Sequence, residues 1–202
     1  KQKAISTHKK MSSVVSNCCL CQESERFSNF RVLFEGKHAF MQMVFEGSLS
    51  TDDETFHCII CPSNHIQSIV STDEEVHEEI KDIKKGLVLL AKSKSKGVLF
   101  LELASKFSRS PHASLEAIAV PLEVEQDAKM YFKQAILEVA EEWNTNKKLI
   151  QISSIGGIKK AVPKTFAYFS VEWGSEGGYA HPIENQADFP CDFGRSVVAG
   201  ML

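Results

Sequence analysis

A single capped helical stretch lies between two pairs of β-rich runs, and that order leaves few folds open. The stretch begins at Ser71 and reads S-T-D-E-E-V-H-E-E-I-K-D-I-K-K-G-L-V-L-L-A-K. Val76, Ile80, Ile83, Leu87 and Leu90 recur every three or four residues, the spacing of one helix face, which predicts an amphipathic helix over 73–93. Thr72 with Glu75 three residues on is a capping-box pattern, and the acidic first turn complements the helix dipole. Before the helix stand H-A-F-M-Q-M-V-F-E-G (38–47) and T-F-H-C-I-I-C-P (55–62), joined by the polar S-L-S-T-D-D-E as a hairpin pair. Pro62 ends the second run because it has no amide for the ladder. After the helix come G-V-L-F-L-E-L (97–103) and S-L-E-A-I-A-V-P (114–121). An α+β layer is expected: an antiparallel sheet with one long helix packed on it.

The acidic L-E-V-E-Q-D at 122–127 reads as the junction to a second, smaller α+β unit. There Phe132, Ile136, Val139 and Trp143 stripe a helix over 127–145. K-L-I-Q-I-S and F-A-Y-F-S-V-E-W are strands, and G-S-E-G-G-Y-A-H-P-I-E-N-Q is a glycine-rich turn into a further extended piece. V-V-A-G-M-L stops mid-pattern, so the second unit is expected to be incomplete at its end. Residues 1–16 are basic and serine-rich with little to bury, and are expected to be largely irregular. The expected divisions are thus 1–16, 17–122 and 123–202. The chain opens on Lys1 rather than Met and reads as a piece of a longer protein.

Charge and cysteine content narrow the function. Lys plus Arg number 23 against 26 Asp plus Glu, a net charge of −3, which excludes coating nucleic acid by bulk electrostatics and leaves room for a local basic patch. No apolar run reaches the length of a membrane span, and the polar start lacks the apolar core of a signal peptide, so no membrane partner is expected. Six cysteines, with Cys18, Cys19 and Cys21 crowded together, fit no regular disulfide framework and point to thiols or metal ligands in a reducing compartment.

Cys18-x-x-Cys21 is the sharpest local signal, because two thiolates three residues apart can grip one tetrahedral Zn²⁺ from a tight turn. Two further ligands must come from elsewhere. Cys58 and Cys61 would complete a four-cysteine zinc ribbon, yet they stand in a strand, where residues three apart face opposite ways, and Ile59-Ile60 is a poor turn. The plainer reading makes them small buried core residues. His65, in the P-S-N-H loop before the long helix, and His112, at the head of the last strand of the first unit, are the alternative pair. With the two thiolates they would give a neutral site of two cysteines and two histidines. Either histidine alone could equally be a satisfied surface or core residue.

C-C-L-C near the start, P-S-N-H, and H-A-S-L-E-A-I-A-V-P resemble the first C-terminal domain of the CwfJ-like proteins. Y-F-K-Q-A-I-L-E-V-A-E-E-W, P-K-T-F-A-Y-F-S-V-E-W and G-G-Y-A-H-P-I-E-N-Q-A-D-F-P resemble their second C-terminal domain, so the likeness runs from about Cys18 to Leu202. These are spliceosome-associated proteins related to histidine-triad proteins and, through one branch, to intron-lariat debranching. The resemblance implies a histidine-triad-like fold for the first unit and a nuclear location. It implies structural zinc on Cys18, Cys21, His65 and His112. It also implies that the middle histidine of the triad, the nucleophile, is replaced by Ser114, and the third by Glu116. A serine hydroxyl without an adjacent base is a weak nucleophile, and a carboxylate there would repel a phosphate. The implied role is non-catalytic: an interaction module at the late, intron-lariat stage of splicing, docking on spliceosomal proteins and on RNA (snRNA or intron lariat).

Two readings stand against that one. A nucleotidyl hydrolase or transferase would act through Ser114, Glu116 and His112, and a plain four-cysteine ribbon would bind nucleic acid. For RNA contact the candidates are Lys159, Lys160 and Lys164 with the aromatic faces of Tyr179 and His181, since aromatic rings stack on unpaired bases while lysines meet phosphates. The plain alternative is that the aromatics around Tyr168, Phe169 and Trp173 form a core.

Overall fold

A computed structural model describes residues 2–44, 46–50, 55–140 and 149–202, with side chains from residue 10 onward. The elements, in chain order, are α1 (Gln2–Asn17), β1 (Val32–Glu35), β2 (Ala39–Met43), β3 (His57–Pro62), α2 (Glu74–Ser93), β4 (Lys96–Ala104), β5 (Leu115–Pro121), α3 (Leu122–Val139), β6 (Ile150–Ser153), α4 (Gly157–Ala161), β7 (Tyr168–Trp173), β8 (Gly177–Pro182) and α5 (Phe193–Met201). The fold class is α+β, as expected. The strands form one eight-stranded sheet in the order β1-β2-β3-β5-β4-β7-β8-β6, and every neighbouring pair is antiparallel.

Period-two alternation gives the sheet two apolar faces. Ile60, Val98, Phe100, Leu115 and Ala117 pack under α2, against its Val76, Ile80, Leu87 and Val88. Leu99, Leu101, Ile118, Val120, Phe169 and Val171 face the other way, onto Phe132 and Ile136 of α3 and Phe193 and Val198 of α5. A smaller cluster of Leu20, Phe40, Ile59 and Cys61 seats the turn after α1. Strand β4 pairs with β7 from Leu99↔Trp173 to Ala104↔Tyr168, so the sheet runs without a break from the first five strands into the last three.

Several expectations need correction. Residues 2–17 are helical rather than irregular; the segment is free of Gly and Pro and carries the helix formers Lys, Gln, Ala and Met. The capping box does not form: Asp73 is the N-cap of α2, and the buried Thr72 donates its hydroxyl to the Ile69 carbonyl at 2.7 Å. The α2 stripe is rotated, with Leu90 exposed and Val88 and Ala91 buried in its place. The second helix starts at Leu122, and its expected end with Trp143 lies outside the described residues, as does the middle of the hairpin connection, 51–54.

Candidate metal centre and the adjoining strand face

Three short segments converge where β3 ends and β5 begins. Strand β3 stops at Pro62, and the loop beyond carries His65. The loop before β5 carries His112, and the Ala113 amide donates to the Ile66 carbonyl at 2.6 Å, lashing the two loops together. The chain leaving α1 turns tightly, with the Cys18 amide on the Val15 carbonyl at 3.1 Å and the Ser24 amide on the Cys21 carbonyl at 2.9 Å. That turn presents both thiols to the histidines.

The four side chains form one cluster whose ligand atoms all lie within 4.8 Å of one another. Cys21 Sγ is 3.2 Å from His65 Nδ1 and 3.4 Å from His112 Nδ1, and Cys18 Sγ is 3.6 Å from His112 Nδ1. Ligands held tetrahedrally at 2.0–2.3 Å from one centre stand roughly 3.3 to 3.8 Å apart, so these separations suit a shared ion. The tautomers agree. His112 Nε2 donates to the Pro62 carbonyl at 2.9 Å and His65 Nε2 to the Ser110 carbonyl at 3.1 Å, which leaves both Nδ1 lone pairs aimed at the sulfurs. Burial lowers the pKa of His112 to about 4, keeping it neutral. Burial, with the neighbouring Cys18, pushes the Cys21 thiol up to about 12. A buried thiol that resists ionisation, beside neutral imidazoles, is a site that gains from a positive ion. The cluster could hold a metal.

Cys58 and Cys61 are not part of it. They point to opposite faces of β3, Cys58 into the core under α2 and Cys61 among Leu20, Phe40 and Ile59. Burial raises the Cys58 thiol to about 12 and the Cys61 thiol well above its ordinary value. The four-cysteine ribbon does not assemble.

Ser114 and Glu116 lie on the α3–α5 face. No base is bonded to the Ser114 hydroxyl among the described residues. Glu116 has two partners that the sequence reading missed. His57 accepts the Leu49 amide on Nδ1 at 3.1 Å, so its Nε2 carries the proton and donates to Glu116 Oε2 at 3.1 Å. Arg195, from the first turn of α5, donates through Nε to the same oxygen at 2.8 Å and through Nη1 to the Glu46 carbonyl at 2.8 Å. Burial pushes the Glu116 carboxyl up, but the His57 and Arg195 hydrogen bonds outweigh it and hold it below the usual range. Gly194 lets α5 come this close, since a Cβ there would lie 2.9 Å from the Phe169 ring. The charge of Glu116 is thus compensated by His57 and Arg195. Arg195 splits the groove before Ser114 into two open pockets of about 310 and 200 Å³.

The remaining candidates fare unevenly. Tyr179 is buried edge-to-face on Trp173, and His181 is buried and stacked on Phe189, so neither offers an open face to a base. Both alternate inward in β8, which a polar-looking aromatic run disguises. Lys160 and Lys164 are exposed, whereas Lys159 reaches the Asp73 carbonyl at 3.2 Å and Glu74 at 3.4 Å. His57 left one trace in the sequence, a polar residue at an inward strand position; Arg195 left none.

A single antiparallel sheet, one long helix on its first half and a cluster of two cysteines and two histidines at the loops define an α+β protein with a candidate structural metal centre. The chain belongs to the CwfJ C-terminal family: residues 5–133 match the family described as "Protein similar to CwfJ C-terminal" and residues 142–202 that described as "Protein similar to CwfJ C-terminus 2". It is 37% identical over its whole length to human "CWF19-like protein 2", of which it covers 22%, and 34% identical to "CWF19-like protein 2 homolog" of Caenorhabditis elegans, of which it covers 42%. To "Pre-mRNA-splicing factor cwf19" of Schizosaccharomyces pombe it is 29% identical over 88% of its length, covering 28% of that protein. The chain therefore spans between about a fifth and two fifths of these relatives.

Proposed function

We propose that this chain is a non-catalytic docking module, carrying one structural Zn²⁺, of a nuclear protein that acts at the late, intron-lariat stage of pre-mRNA splicing. The splicing role draws support from the relatives' names, one of which is printed as a pre-mRNA-splicing factor. The observation that carries the non-catalytic reading is the strand face itself, where no base is bonded to Ser114 among the described residues and Glu116 is committed to His57 and Arg195. Zinc is the ion that two thiolates and two neutral imidazoles at tetrahedral spacing suit best. The partners are spliceosomal proteins and RNA, and the exposed Lys160 and Lys164 remain the basic candidates.

The test has two arms. Metal analysis of the purified chain should find one Zn²⁺; Cys18→Ala or His112→Ala should release it and lower the midpoint of thermal unfolding by about 10 °C, because metal affinity is folding free energy. Cys58→Ala should keep the ion. Zinc retained in both ligand variants would sink the site. In the second arm, adenosine phosphoramidate and dinucleoside polyphosphates should go unhydrolysed, and turnover abolished by Ser114→Ala would overturn the non-catalytic reading.

A further inference from the structure

On the sheet face opposite Ser114, a cavity of about 180 Å³ opens between α2 and the turns around β6, β7 and β8. Its wall is aliphatic, with Ile69, Ile80, Val88, Leu115 and Ile158. Gly157, Gly174 and Gly177, each at positive φ, edge the mouth and place no side chain across it.

Two observations mark it as a binding site. His77 of α2 lines the cavity and is more than nine-tenths buried; its Nδ1 is enclosed in the protein, while its Nε2 points toward Gly157 at the cavity mouth with no hydrogen-bond partner among the described residues. A mostly buried imidazole whose outward nitrogen has no protein partner is suited to bond a ligand that enters the cavity. The second is the rim. Among the described residues Lys81 and Lys85 are paired with Glu78 and Asp82 one turn away, exposed pairs that hold an ammonium group weakly. Lys84, over the Phe100 ring, is the committed one, 2.9 Å from Glu172. The acids facing the cavity are themselves bonded: Glu102 to the Ile69 amide and the Tyr168 hydroxyl, Glu172 to Lys84. Neither meets an incoming anion as a free charge.

Size and chemistry select the ligand. An aliphatic cavity of roughly 150 Å³ takes up benzene, so this one accepts a single ring and little more. The ring needs a polar edge for His77 and an attached anion for the lysines. We propose that the cavity takes one unpaired pyrimidine of an RNA strand, its ring against Ile80 and Val88, its polar edge at His77, and its flanking phosphates on Lys81 and Lys85. This rests on the RNA-docking reading above and replaces stacking on Tyr179 and His181, which burial rules out, with insertion of a splayed base.

The experiment uses the full chain with its metal and a fluorescent octauridylate, followed by anisotropy and by crosslinking of a 4-thiouridine version. Ser175→Trp, at an exposed rim position, should block the mouth and weaken binding at least tenfold. Lys81→Gln/Lys85→Gln should weaken it and reduce the salt slope by about 1.4 units, the value for two phosphate contacts on a single strand. Crosslinks should fall on α2 or the 154–158 turn, and octaadenylate should bind less well. If octauridylate binds, crosslinks elsewhere and ignores Ser175→Trp, the cavity proposal falls while RNA docking survives. If neither oligonucleotide binds, both fall. If an acidic, phenylalanine-containing peptide binds instead and Ser175→Trp blocks it, the cavity belongs to a protein partner and the proposal is overturned.

Discussion

Glu102 is buried at mid-sheet, one oxygen on the Ile69 amide at 2.8 Å and the other on the Tyr168 hydroxyl at 2.5 Å. Burial raises its pKa to about 7, against the help of those two hydrogen bonds. Between its ordinary value of 4.5 and about 7, the folded protein keeps a proton that the unfolded chain has released. Stability therefore falls as pH rises through that window, by on the order of 3 kcal/mol from this group. Glu102→Gln should remove that part of the slope, read as the difference in urea midpoints between pH 4.5 and 7.5. An unchanged slope in the variant would assign the effect to other groups.

Helix α2 offers a test of a different kind. Gly86 is exposed in its interior, and an added Cβ would meet nothing within 4 Å. Gly86→Ala should stabilise the protein by about 0.5–1 kcal/mol, since Gly pays more backbone entropy in a helix; a lower unfolding midpoint would mean that the site is more crowded than the structure shows. The same helix marks what the sequence could and could not convey. Its period was legible because burial imposes one, but not its angle: Leu89 and Leu90 share the apolar signal and are exposed. The Cys18, Cys21, His65 and His112 set was legible because ligand types sit beside a tight turn and strand ends. Arg195 was not, since its pairing with Glu116 spans 79 residues and depends on how α5 docks. Tyr179 and His181 misled because strand aromatics look alike whether they face a core or a partner. The fate of residues 2–17 was missed because a polar segment without an apolar stripe gives no period to read.

For the molecule as a whole, two family matches, 5–133 and 142–202, share one sheet. The β4–β7 ladder joins them, and α3 and α5 cover a face to which both contribute, from Ile118 to Phe169. Each part buries some of its apolar surface only against the other. Denaturant unfolding should then be a single transition, with far-UV dichroism and the near-UV signal of the Trp173–Tyr179 pair coinciding. Two separated transitions would show that the parts fold independently.

The metal cluster also acts on the connectivity of the chain. An ion shared by Cys21, His65 and His112 would tie together positions 44 and 91 residues apart, and would do so by binding the folded chain and not the unfolded one. Its two histidines face each other only once β3 and β5 are paired through Cys58↔Ala117 and Ile60↔Leu115. Capture of the ion by all four ligands must therefore follow the central strands rather than seed them. A contact made after the rate-limiting step slows unfolding and leaves folding speed almost untouched. By that logic an ion's contribution would be persistence: it would lengthen the lifetime of a sheet that the apolar pattern has already built.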